Sequence, residues 1–271
     1  MQLQFFCPLW GSEQLPFKTF LSKVKEEGYD GVEMSFPLDE MERNTLVEQI
    51  KKQGLQLIAQ HWETADADFA LHQINYEKRL RNLAATNPLF INSQTGKDYY
   101  SFEQNAALIG IADNIEAETG ITIIHETHRG KFSFAAHIAQ QYLEKLPNLK
   151  ICLDISHWCC VAETLLEDQV EAVEKAIKHT HHIHSRVGFQ EGPQIMDPSA
   201  PENASIVQAH INWWQKVINA AKAKGRTTFT ITTEFGAPPY LQLLPHTKQP
   251  IYSQWHANVY MMKLLKSQIK L

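Results

Sequence analysis

Short apolar runs alternate with longer amphipathic ones along the whole chain. The most telling run covers 149–157 (Leu-Lys-Ile-Cys-Leu-Asp-Ile-Ser-His), after the turn-forming Pro147-Asn148. Its Ile and Leu content, without clean polar alternation, predicts a strand buried on both faces. Asp154 and His157 then fall where the strand stops and a loop begins. A buried aspartate is costly unless it is paired, hydrogen-bonded or bound to a cation.

Read from the N-terminus, the same pattern predicts further strands over 3–7, 31–35, 55–60, 89–93, 121–126, 180–185 and 229–234. Between them it predicts helices over 17–27, 41–53, 69–85, 102–119, 134–146, 165–179, 204–224 and 252–269. In the first helix Phe17, Phe20, Leu21 and Val24 fall at helical spacing and Gly28 provides the stop. Gly54, Gly120 and Gly225 close three others. Eight strand–helix units without a low-complexity linker predict α/β architecture, a single (β/α)₈ TIM barrel over 1–271. The competitor is a doubly wound open sheet. No GxGxxG follows the first strand, which weakens its nucleotide-binding version.

Composition narrows the partners. Hydrophobic residues make up 44% and charged residues 20%, ordinary proportions for a soluble globular protein. A net charge of -5 without a basic tract argues against nucleic acid. No apolar run approaches the ~20 residues that cross a bilayer, so no membrane partner is expected. The first ten residues show no basic segment followed by an apolar core, so no signal peptide is expected either. Cys7, Cys152, Cys159 and Cys160 form no CxxC pair. That predicts free thiols and a reducing, cytoplasmic setting, with Cys159-Cys160 inert.

The barrel has a geometric consequence. All its strand C-termini open onto one face, where the active site of this architecture lies. The fifth strand ends His125-Glu126-Thr-His128-Arg129, the sixth Asp154-Ile-Ser-His157, the seventh His182-Ile-His184-Ser-Arg186 and the eighth Thr232-Thr-Glu234. Alternation along the strands turns Ile124, Glu126, Cys152, Asp154, His182, His184, Thr230, Thr232 and Glu234 inward. Ile121, Ile123, Leu153, Ile183 and Ile231 then face the helices. Three carboxylates and an imidazole meeting in a low-dielectric mouth repel one another unless a cation joins them. Mixed carboxylate and histidine ligation suits Mn²⁺, Zn²⁺ or Mg²⁺ without choosing among them.

The succession Glu126, Asp154-Ile-Ser-His157, His184-Ser-Arg186 and Glu234, with Gly31-Val-Glu33 in the second strand, resembles the xylose isomerase-like TIM-barrel superfamily of sugar isomerases and epimerases. The resemblance runs along nearly the whole chain. It implies one divalent metal ion held by Glu126, Asp154, His184 and Glu234. It implies that His157 and Arg186 handle substrate oxygens, a carboxylate ion pair being the competing reading for Arg186. The family's ligand stands in a His-x-basic pattern, which selects His184 and leaves His182 a satisfied core histidine. The implied reaction is proton transfer alpha to a carbonyl, as in 3-epimerisation of a ketose or aldose–ketose isomerisation. Glu126 and Glu234, from strands three apart around the ring, are the candidate acid–base pair.

Four residues are further substrate-binding candidates: His61, Asn92, His128 and Trp10. A capping or core role competes for His61, and an aromatic lid for Trp10. Glu33 reads as a structural ion pair and Trp213-Trp214 as outer-layer packing. The loops 187–203 and 236–240 are candidate specificity elements or lids. Rival functions share the site. An inosose dehydratase-like lyase would use the same acidified C–H. An endonuclease IV-like nuclease would need histidines where Asn92-Ser93 and Asp197-Pro-Ser stand. A non-catalytic barrel would keep the metal as a clasp. The expected partner is a small carbohydrate or polyol, unphosphorylated because no phosphate cradle stands out. Exposed apolar helix positions permit a homo-oligomer without requiring one.

Overall fold

The structure is a computed structural model that describes residues 1–271. Eight strands, β1 (Gln2–Pro8), β2 (Gly31–Met34), β3 (Gln56–His61), β4 (Ile91–Ser93), β5 (Ile123–Glu126), β6 (Ile151–Leu153), β7 (Thr180–His184) and β8 (Thr228–Thr232), close into a barrel in sequence order. Neighbouring strands pair parallel, and β8 closes on β1 from Gln2↔Thr228 to Phe6↔Thr232. The outer ring is formed by α1 (Phe17–Glu27), α2 (Glu40–Lys52), α3 (Phe69–Ala84), α4 (Phe102–Thr119), α5 (Ala136–Lys145), α6 (Ser156–Ala162), α7 (Val170–His179), α8 (Ala204–Ala223) and α9 (Gln254–Gln268). The (β/α)₈ expectation is met. No helix is long and apolar enough to cross a membrane.

Side-chain alternation divides the interior as the sequence pattern predicts. Ile123, Leu153, Ile183 and Ile231 join one apolar cluster with helix residues such as Leu108, Trp214 and Met261. Phe6, Ile58, Ile124 and Cys152 are equally buried but lie outside that cluster, inside the barrel. They plug the barrel beneath its mouth. Gly31 makes room for the plug, since a Cβ there would fall 2.4 Å from the Phe6 ring and from the Gln56 carbonyl oxygen. Helix starts are fixed locally. Asp39 and Asp68 accept from the backbone of Glu42 and Leu71, and Ser101 forms a reciprocal capping box with Gln104.

Two local expectations change. The segment after Asp154 is helical, not a loop: α6 buries Ser156, His157, Trp158 and Cys159. Trp158 anchors it by donating Nε1–H to the Ser133 carbonyl at 2.8 Å. Helix α7 consequently starts at Val170, later than the pattern at 165 suggested. Strand β8 stops at Thr232, so Glu234 lies just past the ladder, on the segment that turns into the following loop.

Candidate metal centre

Glu126 closes β5, Asp154 follows β6, His184 closes β7 and Glu234 follows β8, so four successive strand ends aim one oxygen or nitrogen each at the same point. The four ligand atoms lie within 4.8 Å of one another, and all four residues are buried. His184 Nδ1 lies 2.7 Å from a Glu234 oxygen and 3.7 Å from one of Glu126. Its Nε2 lies 3.0 and 3.1 Å from the two oxygens of Glu33. A carboxylate only accepts, so Nε2 carries a hydrogen toward Glu33, and with carboxylates on its other side as well the imidazole is held in its protonated form. Nδ1 is buried and has no hydrogen-bond partner. The proton on Nδ1 occupies the place where a cation shared with Glu126 and Glu234 would bind, and a carboxylate behind the ring is the usual support of a metal-binding histidine. The residues present therefore fit a divalent ion.

The electrostatics follow from burial and proximity. Burial favours neutral His184, but Cys152, Glu234, Glu33 and Glu126 outweigh it and hold the imidazole well above its usual range. Burial also opposes the charge on Glu33, yet His184 and His182 beside it hold its carboxyl well below the carboxylate range. Glu126 and Glu234 are pushed apart. Burial raises Glu126, and the neighbouring Glu234 adds to the rise beyond what His184 offsets. For Glu234 the pull of His184 and Arg186 exceeds the cost of burial, so its pKa falls.

Arg186 is drawn into this cluster. It donates Nη2–H to Asp154 at 2.5 Å and to Glu234 at 2.7 Å, and Nε–H to Asp154 at 3.2 Å. The ion-pair reading of Arg186 thus describes this structure, although the side chain also forms part of a cavity wall. Asp154 is further held by Ser156, whose backbone N–H donates at 3.1 Å. Gln60 donates to Glu234 at 3.2 Å, and Gln94 to Glu126 at 3.3 Å.

The remaining candidates divide. Trp10 and His128 line a cavity of about 570 Å³ over the centre, together with Gln60, Gln94, Arg186 and Tyr240. Trp10 meets Tyr240 edge-on at 5.2 Å and lies against the loop after β8, where a Cβ on Gly236 would fall 2.2 Å from the indole. His157 packs against His128 with ring centres 3.9 Å apart and planes tilted by 49°, 3.6 Å from an Asp154 oxygen, with both ring nitrogens buried and unpartnered. Burial, with His128 and Arg186 adding, keeps it neutral. His61 does not form part of the cavity wall. Its nitrogens are taken by Ser93 at 3.0 Å and Thr64 at 2.7 Å, a core role. Asn92 is likewise below the mouth, donating to Glu33 at 2.9 Å and Glu126 at 3.4 Å, and so supports the ligands from underneath.

The loops also divide. No residue of 187–203 forms part of the cavity wall. That loop acts at one remove, through Gln194, which bonds the Gly236 N–H at 2.7 Å and its carbonyl at 3.3 Å. The segment 236–240 reaches the site directly through Tyr240. Glu33 was the residue least visible beforehand, because a single Glu in a short buried strand reads equally well as a structural ion pair. Gln60 and Gln94 carried the signal used for the ligands: polar groups ending apolar strands.

A family model described as a xylose isomerase-like TIM barrel matches residues 21–249. No curated protein matches the chain by sequence. Three similar solved structures span the chain. The AP endonuclease, family 2, of Brucella melitensis is 15% identical, covering 96% of this chain and 98% of its own, with a TM-score of 0.62. The probable 3-DHS dehydratase AsbF of Bacillus anthracis is 17% identical, covering 99% and 100%, at 0.60. The 3-keto-D-glucoside 4-epimerase YcjR of E. coli is 14% identical, covering 98% and 100%, at 0.62. Identities this low show a shared fold and leave the reaction open.

Proposed function

The chain belongs to the xylose isomerase-like TIM-barrel family, and we propose that it is a divalent-metal-dependent sugar isomerase or epimerase acting on a small carbohydrate or polyol. One observation carries the reading: four ligand atoms within 4.8 Å of one another, one of them the unpartnered Nδ1 of His184. Glu126, Asp154, His184 and Glu234 would hold the ion, with Glu33 orienting His184. A bound divalent ion polarises a carbonyl and its neighbouring hydroxyl and so acidifies the C–H between them.

The chain's own residues supply the rest. Two groups whose surroundings push their pKa values apart make an acid–base pair. Glu126, raised by burial, is the stronger base, and Glu234, lowered by His184 and Arg186, the weaker one. Glu126 stands at the end of β5 and Glu234 just past β8, where it lines the cavity; as an acid–base pair each would serve one face of a flat enediol-like carbon. Gln94 and Gln60 fix the two carboxylates in place. Trp10 and Tyr240 cover the site and keep water away from the exchanging proton. Arg186 and His128, in the cavity wall, meet substrate oxygens.

The test is a turnover screen of the metal-loaded protein on ketoses, aldoses and inososes in D₂O. A product of unchanged skeleton carrying one solvent deuterium is expected. Glu126→Gln and Glu234→Gln should each lower turnover by roughly 100-fold or more. Loss of a water mass would reassign the same site to dehydration. Full turnover in both glutamine variants would remove the mechanism altogether.

A further inference from the structure

The cavity is wider than the metal centre that it covers. Its volume of about 570 Å³ lies in the range that encloses a drug-sized ligand, and a lone sugar fills only part of it. The candidate ligands and Arg186 belong to the half over β5–β8. The other half is built on the ends of the first three strands, where Leu9, Glu13, Met34, Ser35 and Trp62 form the wall. The metal chemistry uses none of these five. Trp62 differs from the rest in being 56% exposed between two pinned neighbours. His61 before it is fully buried and held by Thr64 at 2.7 Å and Ser93 at 3.0 Å. Glu63 after it accepts from the Ser35 hydroxyl and, at 3.1 Å, from the Trp62 N–H, and it pairs with Arg79 at 3.6 Å. A single exposed apolar side chain is ordinary. An indole on a cavity wall, carried by backbone already fixed in place, is a preorganised platform for a ligand with an apolar face.

The strand sets its height. Gln60 and Trp62 both reach the cavity wall from the end of β3. Two residues of strand place the indole one pleat, roughly 7 Å, above Gln60. Gln60 donates to Glu234 at 3.2 Å and so marks the level of the candidate ion. A sugar ring bound at the ion spans that step, and the next ring along would lie level with the indole. The surroundings suit a second sugar. The indole face, Leu9 and Met34 match the C–H face of a pyranose. Ser35 gives its hydrogen to Glu63 and keeps lone pairs for a hydroxyl. Glu13 holds the Gly11 N–H at 2.8 Å and is a second acceptor. It is also the only charged group on this half, so an anionic unit is repelled.

We propose that the substrate is an uncharged saccharide of at least two rings, one at the candidate metal centre and the next stacked on Trp62, which sets the specificity for the longer molecule. This deepens the isomerase or epimerase reading and rests on it for the ring that reacts.

Calorimetric titration of the full chain, with and without Mn²⁺, tests this. The probes are cellobiose, maltose and lactulose, against D-glucose and D-fructose as single rings and phenyl β-D-glucoside as one ring with an apolar aglycone. At least one disaccharide should bind roughly tenfold more tightly than either monosaccharide, a difference of about 1.4 kcal/mol, and more tightly than the phenyl glucoside. Trp62→Ala should erase most of that margin and Trp62→Phe should keep part of it. The unfolding midpoint and Mn²⁺ affinity should stay unmoved in both, since the side chain is exposed and clear of the ion. Monosaccharides or the phenyl glucoside binding as tightly as every disaccharide would overturn the proposal. So would a margin that survives Trp62→Ala, or failure of all three disaccharides at millimolar concentration. Because binding is measured without turnover, such failures leave the isomerase reading intact if Mn²⁺ binds. A disaccharide margin that depends on Trp62 in a protein that binds no Mn²⁺ would remove that reading instead and keep the saccharide platform.

Discussion

His182 and His184 ride the same strand one pleat apart, both fully buried and both against Glu33, yet they belong to two different layers of the barrel. The deeper layer is closed. His182 Nδ1 meets the Thr230 hydroxyl at 2.7 Å and Nε2 meets that of Thr232 at 3.0 Å and a Glu33 oxygen at 3.3 Å, so both ring nitrogens are satisfied. Burial then lowers its pKa, as it does for an ordinary core histidine. The upper layer is open. His184 has the same support from Glu33 but faces carboxylates where His182 faces hydroxyls, and Nδ1 is left over. Histidine in a strand is therefore not the signal of a site. The signal is what the facing strands place opposite it: threonines make a finished core, and glutamates make a socket that needs a cation.

The largest way to break that contrast is to remove the upper ring. His184→Ala deletes a ligand and leaves three carboxylates short of their partner, so Mn²⁺ affinity measured by calorimetry should fall by more than about 100-fold. A ratio near unity would mean the four groups do not share an ion. Glu33→Gln comes next. The amide can no longer fix Nε2–H unambiguously, and the orientation of the Nδ1 lone pair is lost with it. Loss of such a support typically costs about 10–100-fold in metal affinity. Unchanged affinity would make Glu33 the structural ion pair that its sequence context suggested.

Lys131, in the loop after β5, is a second unfinished charge near the mouth, 8% exposed. Burial and then Lys97 lower its pKa to about 8, from 10.5, against the pull of Glu126 and Asp98. The folded state therefore holds this proton less tightly than the unfolded chain. Its penalty is complete below pH 8 and lifts as pH rises from 8 to 10.5. Urea unfolding across that window should show a gain in stability of about 3 kcal/mol that Lys131→Met lacks. Parallel curves for the two proteins would show Lys131 to be solvated.

The contrast between layers also explains what could be read from the sequence and what could not. Strand periodicity located the barrel because each strand buries two faces. Glu126, Asp154, His184 and Glu234 were legible because a charge ending an apolar run is expensive without a purpose. Helix α6 was not, since its seven residues, Ser156–Ala162, are too few to display a period. His61 and Asn92 ended strands in the same manner as the ligands, and only the register β3–β4 shows Ser93 opposite His61 and Asn92 beside Gln60. The partners of Arg186 were equally out of reach, because two strand ends compete for one guanidinium and distance decides between them.

The smallest expected effect is the sharpest test of the comparison. If the deeper layer is only core, His182→Gln should barely touch the ion. Glutamine can still bond one of Thr230 and Thr232, and Thr232 keeps Glu33 as its acceptor, so about one hydrogen bond is lost. That costs about 1 kcal/mol of stability. Glu33 keeps Thr232, Asn92 and His184 as donors, so the carboxylate stays put behind His184. Mn²⁺ affinity should therefore change by less than about threefold, within 0.7 kcal/mol or so, while the unfolding midpoint drops by a few degrees. A loss of ion affinity as large as that of Glu33→Gln would show that the two histidines hold Glu33 jointly, and that the boundary between finished core and open socket lies one pleat deeper than the hydroxyl partners of His182 imply.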